Sequence, residues 1–246
     1  MEIMTSGCSF TAGDELVELI PNYLQSGPDP KLSAKHQKQL GDFWNKDRKK
    51  YKEVLELQKT KAWPAKLAEI DSKLEIQNVA QGGISNEEIC WRVLKQMARN
   101  FRKPDLVIIM LTAPVRFGHG MHSEETQYNF RSYLPSSPSW LTNLIIEPDS
   151  YDNLWRTLNT ISGTKKILES RNIPYIIVDS GMAAFSVNQN KKREIELYKL
   201  LDVKLNFGDL MIEHEDLHVR LPGAHPTEQM HKIFAKELYK CMMSYM

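Results

Sequence analysis

The sequence predicts a single α/β domain over residues 1–246, a three-layer α/β/α sandwich around a mostly parallel sheet. Short apolar runs alternate with amphipathic helical patterns along the chain, which is typical of helices that cover both faces of a sheet. The segment 104–112 is almost continuously aliphatic, as expected for a parallel strand buried on both faces. Polar or glycine-rich turns follow the apolar runs, at the edge where open α/β sheets bind ligands.

Composition and charge argue against several classes of protein. Hydrophobic residues make up 41% of the chain, enough for one full core. The formal net charge of +1 gives no reason to expect nucleic acid or an anionic membrane as a partner. Three widely spaced cysteines fit neither a disulfide framework nor a metal cluster. Because there is no basic leader segment and no apolar run of membrane-spanning length, we expect a soluble, cytoplasmic protein without a membrane span.

The first half of the chain predicts two strands and several helical segments. The strands are expected at residues 1–6 and 74–78, the second being short and buried. A helix is expected at 14–24, and a charged helical insertion at about 28–62. Another helix should begin at 63–64, because Pro at an early helical position lacks only an N–H that the helix does not need.

The second half predicts a long loop followed by alternating elements. The loop covers about 113–148, a length typical of functional lids or disordered segments. His119 and His122 in this loop have no neighbouring Cys and no H-E-x-x-H frame, so we expect no metal site. The remaining elements are expected as helices at 152–171 and 191–201, strands at 174–178 and about 203–207, and a C-terminal helix after 227.

Two glycine-containing turns each follow a predicted strand and precede a predicted helix. The first, 7–13, carries Ser9, and the second, 78–86, carries Gly83. Ser85 and Glu88 have the spacing of a capping box at the start of the next helix. Backbone N–H groups at such turns can receive a developing anion, which makes Ser9 a candidate nucleophile. The alternative is a polar turn that only caps a helix.

Three segments, in order along the chain, resemble the sequence blocks of the SGNH (GDSL-like) hydrolases. Residues 7–13, Gly-Cys-Ser-Phe-Thr-Ala-Gly, resemble the block Gly-Asp-Ser-x-Thr-x-Gly, with Cys8 in place of Asp. Residues 78–85 resemble the block Asn-x-Gly-x-x-Gly-x-Thr, which implies that Gly83 is the oxyanion glycine. His225, before Pro226 and an amphipathic helix, resembles the catalytic His of the last block.

This resemblance implies the SGNH hydrolase fold, with a flavodoxin-like sheet, and serine esterase activity. The segments 63–68 and 82–86 resemble a subset of the family that tailed bacteriophages often encode. The substrate implied is a small acyl ester, with an O-acetyl group on a carbohydrate as the form that many relatives cleave. No cofactor is expected, since the chain has neither a complete G-x-G-x-x-G nor a P-loop.

The chemistry of these residues suits ester hydrolysis. A Ser hydroxyl is a poor nucleophile until a base takes its proton, so Ser9 needs an imidazole nearby, and His225 is the candidate. The oxyanion of the tetrahedral intermediate would be met by the backbone N–H groups of Ser9 and Gly83.

Two positions depart from the family pattern. Pro114 stands where the third block, Gly-x-Asn-Asp, has its oxyanion Asn, and Pro222 stands where the last block has the Asp that orients the imidazole. The possible replacements for the oxyanion Asn, or contacts to substrate, are Thr112, Asn86 and Arg116. The candidates to orient the imidazole are a backbone carbonyl or the carboxylates of Glu213, Glu215, Asp216 and Asp179.

The functional hypothesis is therefore a serine hydrolase that acts on a small ester. Two alternatives remain open. One is an SGNH-fold binding or structural protein with weakened or lost activity, and the other is a flavodoxin-like binder of nucleotides or phosphate. The sequence predicts no oligomeric state.

Overall fold

A computed structural model describes residues 1–13, 16, 48–99, 103–114, 117–118, 129–130, 150–185, 187, 191–214 and 226–245. Seven strands are seen in this part of the chain: β1 (Glu2–Ser6), β2 (Glu75–Asn78), β3 (Leu106–Leu111), β4 (Phe117–Gly118), β5 (Asn129–Phe130), β6 (Tyr175–Asp179) and β7 (Leu205–Asn206). Five of them form one sheet in the order β2-β1-β3-β6-β7, and every neighbouring pair in it is parallel. The strands β4 and β5 form a separate antiparallel pair.

Helices cover the sheet in two groups. The helices of the described residues are α1 (Ser9–Ala12), α2 (Arg48–Lys59), α3 (Trp63–Ile70), α4 (Asn86–Arg99), α5 (Ser150–Ser170), α6 (Met182–Phe185), α7 (Lys192–Leu200), α8 (Phe207–Glu213) and α9 (Glu228–Met243). One group joins α4, α5 and α7, and α4 packs on β1 and β3. The other joins α1 with α2 and α3, and α9 with α3 and α8. The predicted α/β fold around a parallel sheet is confirmed.

The strand β3 is the centre of the core. It lies between β1 and β6, and all six of its residues are buried. Full burial of one such aliphatic side chain contributes roughly 1.5–3 kcal/mol, which makes this strand a main source of stability. The prediction of a buried parallel strand here is confirmed.

The strand β2 corrects a prediction. We expected it to be buried, but Glu75 is exposed and the other three residues are half-buried. The reason is its place in the sheet, because β2 lies at the edge and pairs with β1 only, among the strands that the structure describes.

Other predictions have mixed outcomes. The helices at 63–70, 86–99, 150–170, 192–200 and 228–243 and the weak strand near 205 are confirmed. The insertion contains α2, while its residues 28–47 lie outside the described residues. The predicted helix at 14–24 and most of the 113–148 loop, with His119 and His122, lie outside them too, apart from Leu16, 113–114 and the short strands β4 and β5. No helix among the described residues has both the length and the apolar character needed to cross a membrane.

Buried contacts fix α9 on the N-terminal half of the chain. The Trp63 backbone N–H, at the start of α3, donates to Nδ1 of His231 in the first turn of α9, at 3.1 Å. The Trp63 indole Nε1 donates to Oγ1 of Thr11 in α1, at 3.3 Å. His231 is only 1% exposed, so it is a packing residue of the core.

The His231 contact predicts a measurable loss of stability on substitution. His231→Leu should lower the free energy of unfolding by about 1–3 kcal/mol, because the buried Trp63 N–H loses its acceptor. Urea unfolding of both proteins measures this difference. His231→Gln, whose amide oxygen can accept the same hydrogen bond, should lose less. Lys232→Leu, at a half-exposed neighbour, is the control, and equal stability of the two Leu variants would contradict the prediction.

Candidate active site

Ser9 lies on the turn that joins β1 to α1. It is the first residue of the short helix, and Cys8 precedes it as an extended N-cap whose carbonyl accepts from the N–H groups of Thr11 and Ala12, both at 3.0 Å. Cys8 itself is 1% exposed and packs in the hydrophobic core, at the position where the resembling sequence block has Asp. Within the described part of the chain, no hydrogen bond uses the Ser9 hydroxyl.

Close packing fixes the turn that carries Ser9. A Cβ atom at Gly7 would lie 2.1 Å from Oγ1 of Thr11 and 2.9 Å from Cβ of Met110. The Thr11 hydroxyl donates to Sδ of Met110 at 3.2 Å. At the other end of α1, Gly13 has a φ of 79°, and a Cβ there would lie 2.5 Å from the carbonyl oxygen of Gln58. Space therefore requires glycine at both positions, and the left-handed backbone at Gly13 requires it there as well.

The Gly7 contacts predict a steric effect. Gly7→Ala should lower the free energy of unfolding by about 1–3 kcal/mol or more, because Thr11 and the β1–α1 turn must move to admit the new methyl group. Thermal unfolding measures the effect. Gly163→Ala is the matched control: it lies in α5 with nothing within 4 Å of the added Cβ, and it should raise stability by roughly 0.5–1 kcal/mol. A Gly7→Ala protein as stable as the wild type would contradict the packing argument.

The turn with Gly83 lies directly beside the turn with Ser9. The Asn78 side-chain Nδ2 donates to the Thr11 carbonyl at 2.9 Å, and the Gln81 backbone N–H donates to the Gly7 carbonyl at 3.2 Å. Gly83 has a φ of 76°, in the left-handed region that favours glycine. The structure thus brings together the two turns that the sequence predicted at one edge of the sheet.

Asn86 and Thr112 join the end of β3 to the start of α4. The Asn86 Oδ1 accepts from the Thr112 N–H at 2.9 Å, and its Nδ2 donates to the Thr112 carbonyl at 3.1 Å and to Oγ1 of Thr157 at 3.3 Å. Both amide hydrogens of Asn86 are thereby used within the fold. The Thr112 hydroxyl is buried and has no hydrogen-bond partner among the described residues. Of the residues suggested to replace the oxyanion Asn, Thr112 therefore has a hydroxyl that can still donate a hydrogen bond. Arg116 lies outside the described residues.

Pro114 has no donor to offer, and its surroundings hold it in place. It is buried, and its carbonyl accepts from the Arg156 guanidinium NH2 at 2.7 Å. Arg156 also forms an ion pair with Glu87 at the start of α4. The residue that the sequence resemblance aligns with the oxyanion Asn thus offers its backbone carbonyl to Arg156 and has no side-chain donor.

Asp179, at the end of β6, uses its carboxylate for hydrogen bonds within the fold. Its carboxylate accepts from the backbone N–H groups of Gly181, Ala183 and Ala184 at 3.0, 3.1 and 2.9 Å and from the Tyr198 hydroxyl at 2.9 Å. Burial raises the pKa of Asp179 above its ordinary value, although these four donors oppose the shift. A carboxylate accepts about four hydrogen bonds, so Asp179 has little capacity left to orient an imidazole.

Of the other carboxylates suggested to orient the imidazole, the structure describes Glu213 alone. Glu213 is exposed near the end of α8. Pro222, Glu215, Asp216 and His225 itself lie outside the described residues.

Phe207, the first residue of α8, links the helix that carries Ser9 to the first turn of α9. Phe10 packs edge-on against Phe207, with ring centroids 5.5 Å apart, and Phe207 packs against His231 at 5.6 Å. Thr227 caps α9 by accepting from the Met230 N–H at 3.5 Å. In the sequence, His225 is two residues before this cap. Sequence reasoning did not single out Phe207, because an aromatic residue after a weak strand pattern is common in any core.

Comparisons with known proteins identify the fold. No protein-family model matches the sequence, and no curated protein matches it. Among solved structures, TesA has a TM-score of 0.53 at 10% identity, with 100% of both chains covered. A protein assigned to the lipolytic G-D-S-L family from Desulfitobacterium hafniense DCB-2 has a TM-score of 0.52 at 13% identity, covering 98% of each chain. The psychrotrophic esterase EstA from Pseudoalteromonas sp. has a TM-score of 0.52 at 12% identity, covering 99% of this chain and 97% of its own.

Identities this low establish a shared fold and nothing finer. The described part of the chain has the α/β fold that these three proteins share.

Proposed function

We propose that the chain is an SGNH-type serine hydrolase that cleaves a small acyl ester through an acyl-serine intermediate. The observation that carries the proposal is the position of Ser9. It follows the first strand of a parallel sheet, beside the Gly83 turn, in a fold shared with a G-D-S-L family protein and an esterase. This is the sheet edge at which α/β folds hold their ligands.

In the proposed mechanism, Oγ of Ser9 attacks the ester carbonyl carbon while His225 takes the hydroxyl proton. The backbone N–H groups of Ser9 and Gly83 receive the charge that develops on the carbonyl oxygen, and the Thr112 hydroxyl is the proposed third donor. The C–O bond then breaks, and His225 returns the proton to the leaving alcohol. Water, activated by the same imidazole, cleaves the acyl-serine and restores the Ser9 hydroxyl.

For the substrate, we propose an O-acetyl group on a carbohydrate, and we propose that the chain belongs to the phage-encoded subset of the family. Both proposals are supported by the sequence blocks at Ser9, Gly83 and His225 and by the segments 63–68 and 82–86. A small acyl group also suits a nucleophile that is 6% exposed.

The experiment is labelling of the folded protein with a fluorophosphonate, together with turnover of p-nitrophenyl acetate. A phosphonate is a suitable probe because EstA, which shares the fold, was crystallised with monoethylphosphonate as its inhibitor. We expect saturable labelling, turnover, and an adduct on the peptide that contains Ser9. A folded protein with neither labelling nor turnover would overturn the proposal.

That negative result would favour the alternative, an SGNH-fold binding protein without activity. The observation in its favour is Pro114, which lacks the side-chain donor of the family's Asn and is anchored by Arg156. Loss of one oxyanion donor costs about 10²–10³ in rate. Binding of acylated oligosaccharides without their hydrolysis would then be the expected behaviour.

A further inference from the structure

Arg92, on the second turn of α4, holds the loop that leads to Gly83. Its NH1 donates to the Val79 carbonyl at 3.2 Å, and its NH2 donates to Oε1 of Gln81. The same Gln81 donates its backbone N–H to the carbonyl of Gly7, at 3.2 Å. One residue of the loop is thus held by Arg92 through its side chain and by the Ser9 turn through its backbone.

This contact matters because the loop continues into Gly82 and Gly83. Glycine has the largest backbone freedom of any residue, so two in succession cannot fix the direction of their own N–H groups. An oxyanion hole, in contrast, is effective only when its donors are already oriented before the charge develops. The direction of the Gly83 N–H must therefore come from contacts on the residues around the glycine pair.

We propose that Arg92 is a positioning residue for the Gly83 donor of the oxyanion hole. It acts through Val79 and Gln81 and does not touch the substrate. The inference rests on the proposed function, and it assigns a role to a residue outside the family blocks. Sequence reasoning missed it, since the only visible pattern is its i,i+4 spacing to Glu88, which predicts an ordinary helical ion pair.

The geometry explains why an arginine is present. Its Nε pairs with Oε1 of Glu88 at 3.2 Å, which leaves both terminal nitrogens free to reach two different acceptors on the loop. Burial lowers the pKa of Arg92 and Glu88 raises it, but a guanidinium stays protonated at neutral pH. A lysine would keep the charge beside Glu88 but could not span the Val79 carbonyl and the Gln81 amide together.

The test compares variants that separate the loop contacts from the ion pair. Arg92→Lys should lower kcat for p-nitrophenyl acetate by about 10- to 100-fold with KM changed less than about twofold, because donor alignment fails while binding remains. Glu88→Gln keeps Arg92 and an acceptor for its Nε, and should stay within about threefold of the wild type. Lys95→Met, one turn further along α4 where Lys95 stacks on Trp91, is the surface control.

Hydrogen exchange of the loop amides gives a readout that does not depend on activity. Arg92→Lys should speed exchange at residues 80–84 and leave β3 unchanged, at an unaltered Tm. If Arg92→Lys matches an active wild type in kcat, the inference is overturned, whether or not exchange changes. An inactive wild type overturns the proposed function instead, so the two failures are distinguishable.

Discussion

Replacing Ser9 by alanine is expected to abolish fluorophosphonate labelling and to lower kcat for p-nitrophenyl acetate by roughly 10⁴- to 10⁶-fold. Alanine removes the nucleophile, while the N–H groups of residues 9 and 83 remain. The folded state should be little affected, because no hydrogen bond in the described part of the chain uses the Ser9 hydroxyl. Labelling is followed by intact mass, turnover by absorbance, and folding by circular dichroism.

Ser180 provides a matched control for this prediction. It follows β6 as Ser9 follows β1, it is 3% exposed, and its hydroxyl accepts from the Met182 N–H at 3.4 Å. Ser180→Ala should therefore remain labelled and active. Labelling that persists in Ser9→Ala but disappears in Ser180→Ala would transfer the nucleophile to the other strand end.

The parts of the fold that the sequence predicted are those with a continuous local pattern. The aliphatic run in β3 and the amphipathic faces of α4 and α9 predict burial directly, because many residues along each pattern support the same prediction. The burial of β2 could not be predicted in this way. Its four residues are too few to show a burial pattern, and the order of strands in the sheet is what places it at an edge. The helices α6 and α8 were missed because 4 and 7 residues are too few to show a helical period.

The sequence likewise predicted the backbone turns of the candidate site but not the hydrogen bonds of its side chains. The turns of Ser9 and Gly83 were predicted to meet because each follows a strand of a parallel sheet, and a direct hydrogen bond between Gln81 and Gly7 joins them. The use of individual polar side chains was not predictable. The Asn86 side chain accepts a hydrogen bond from Thr112, 26 residues away, and His231 accepts one from Trp63, 168 residues away. The roles of both side chains therefore depend on the completed tertiary structure.

Asp179→Ala is expected to give the largest loss of stability, about 3–5 kcal/mol. The carboxylate accepts from three backbone N–H groups, of Gly181, Ala183 and Ala184, and from the Tyr198 hydroxyl. Each buried donor left without an acceptor costs about 1–3 kcal/mol, and alanine leaves several at once. Tyr198→Phe, which removes one of the four hydrogen bonds, is the graded control and should cost about 1 kcal/mol.

The pH dependence of the same residue has a definite sign. Because burial raises the pKa of Asp179 above its ordinary value of 3.8, the folded state binds a proton more tightly than the unfolded state does. The stability that this group contributes is therefore fully present below 3.8 and is lost as pH rises through the folded pKa. Relative to Asp179→Asn, which does not titrate, the wild type should gain stability as pH is lowered through this window, as measured by urea unfolding at several pH values. A constant difference between the two proteins would mean that the four donors cancel the effect of burial.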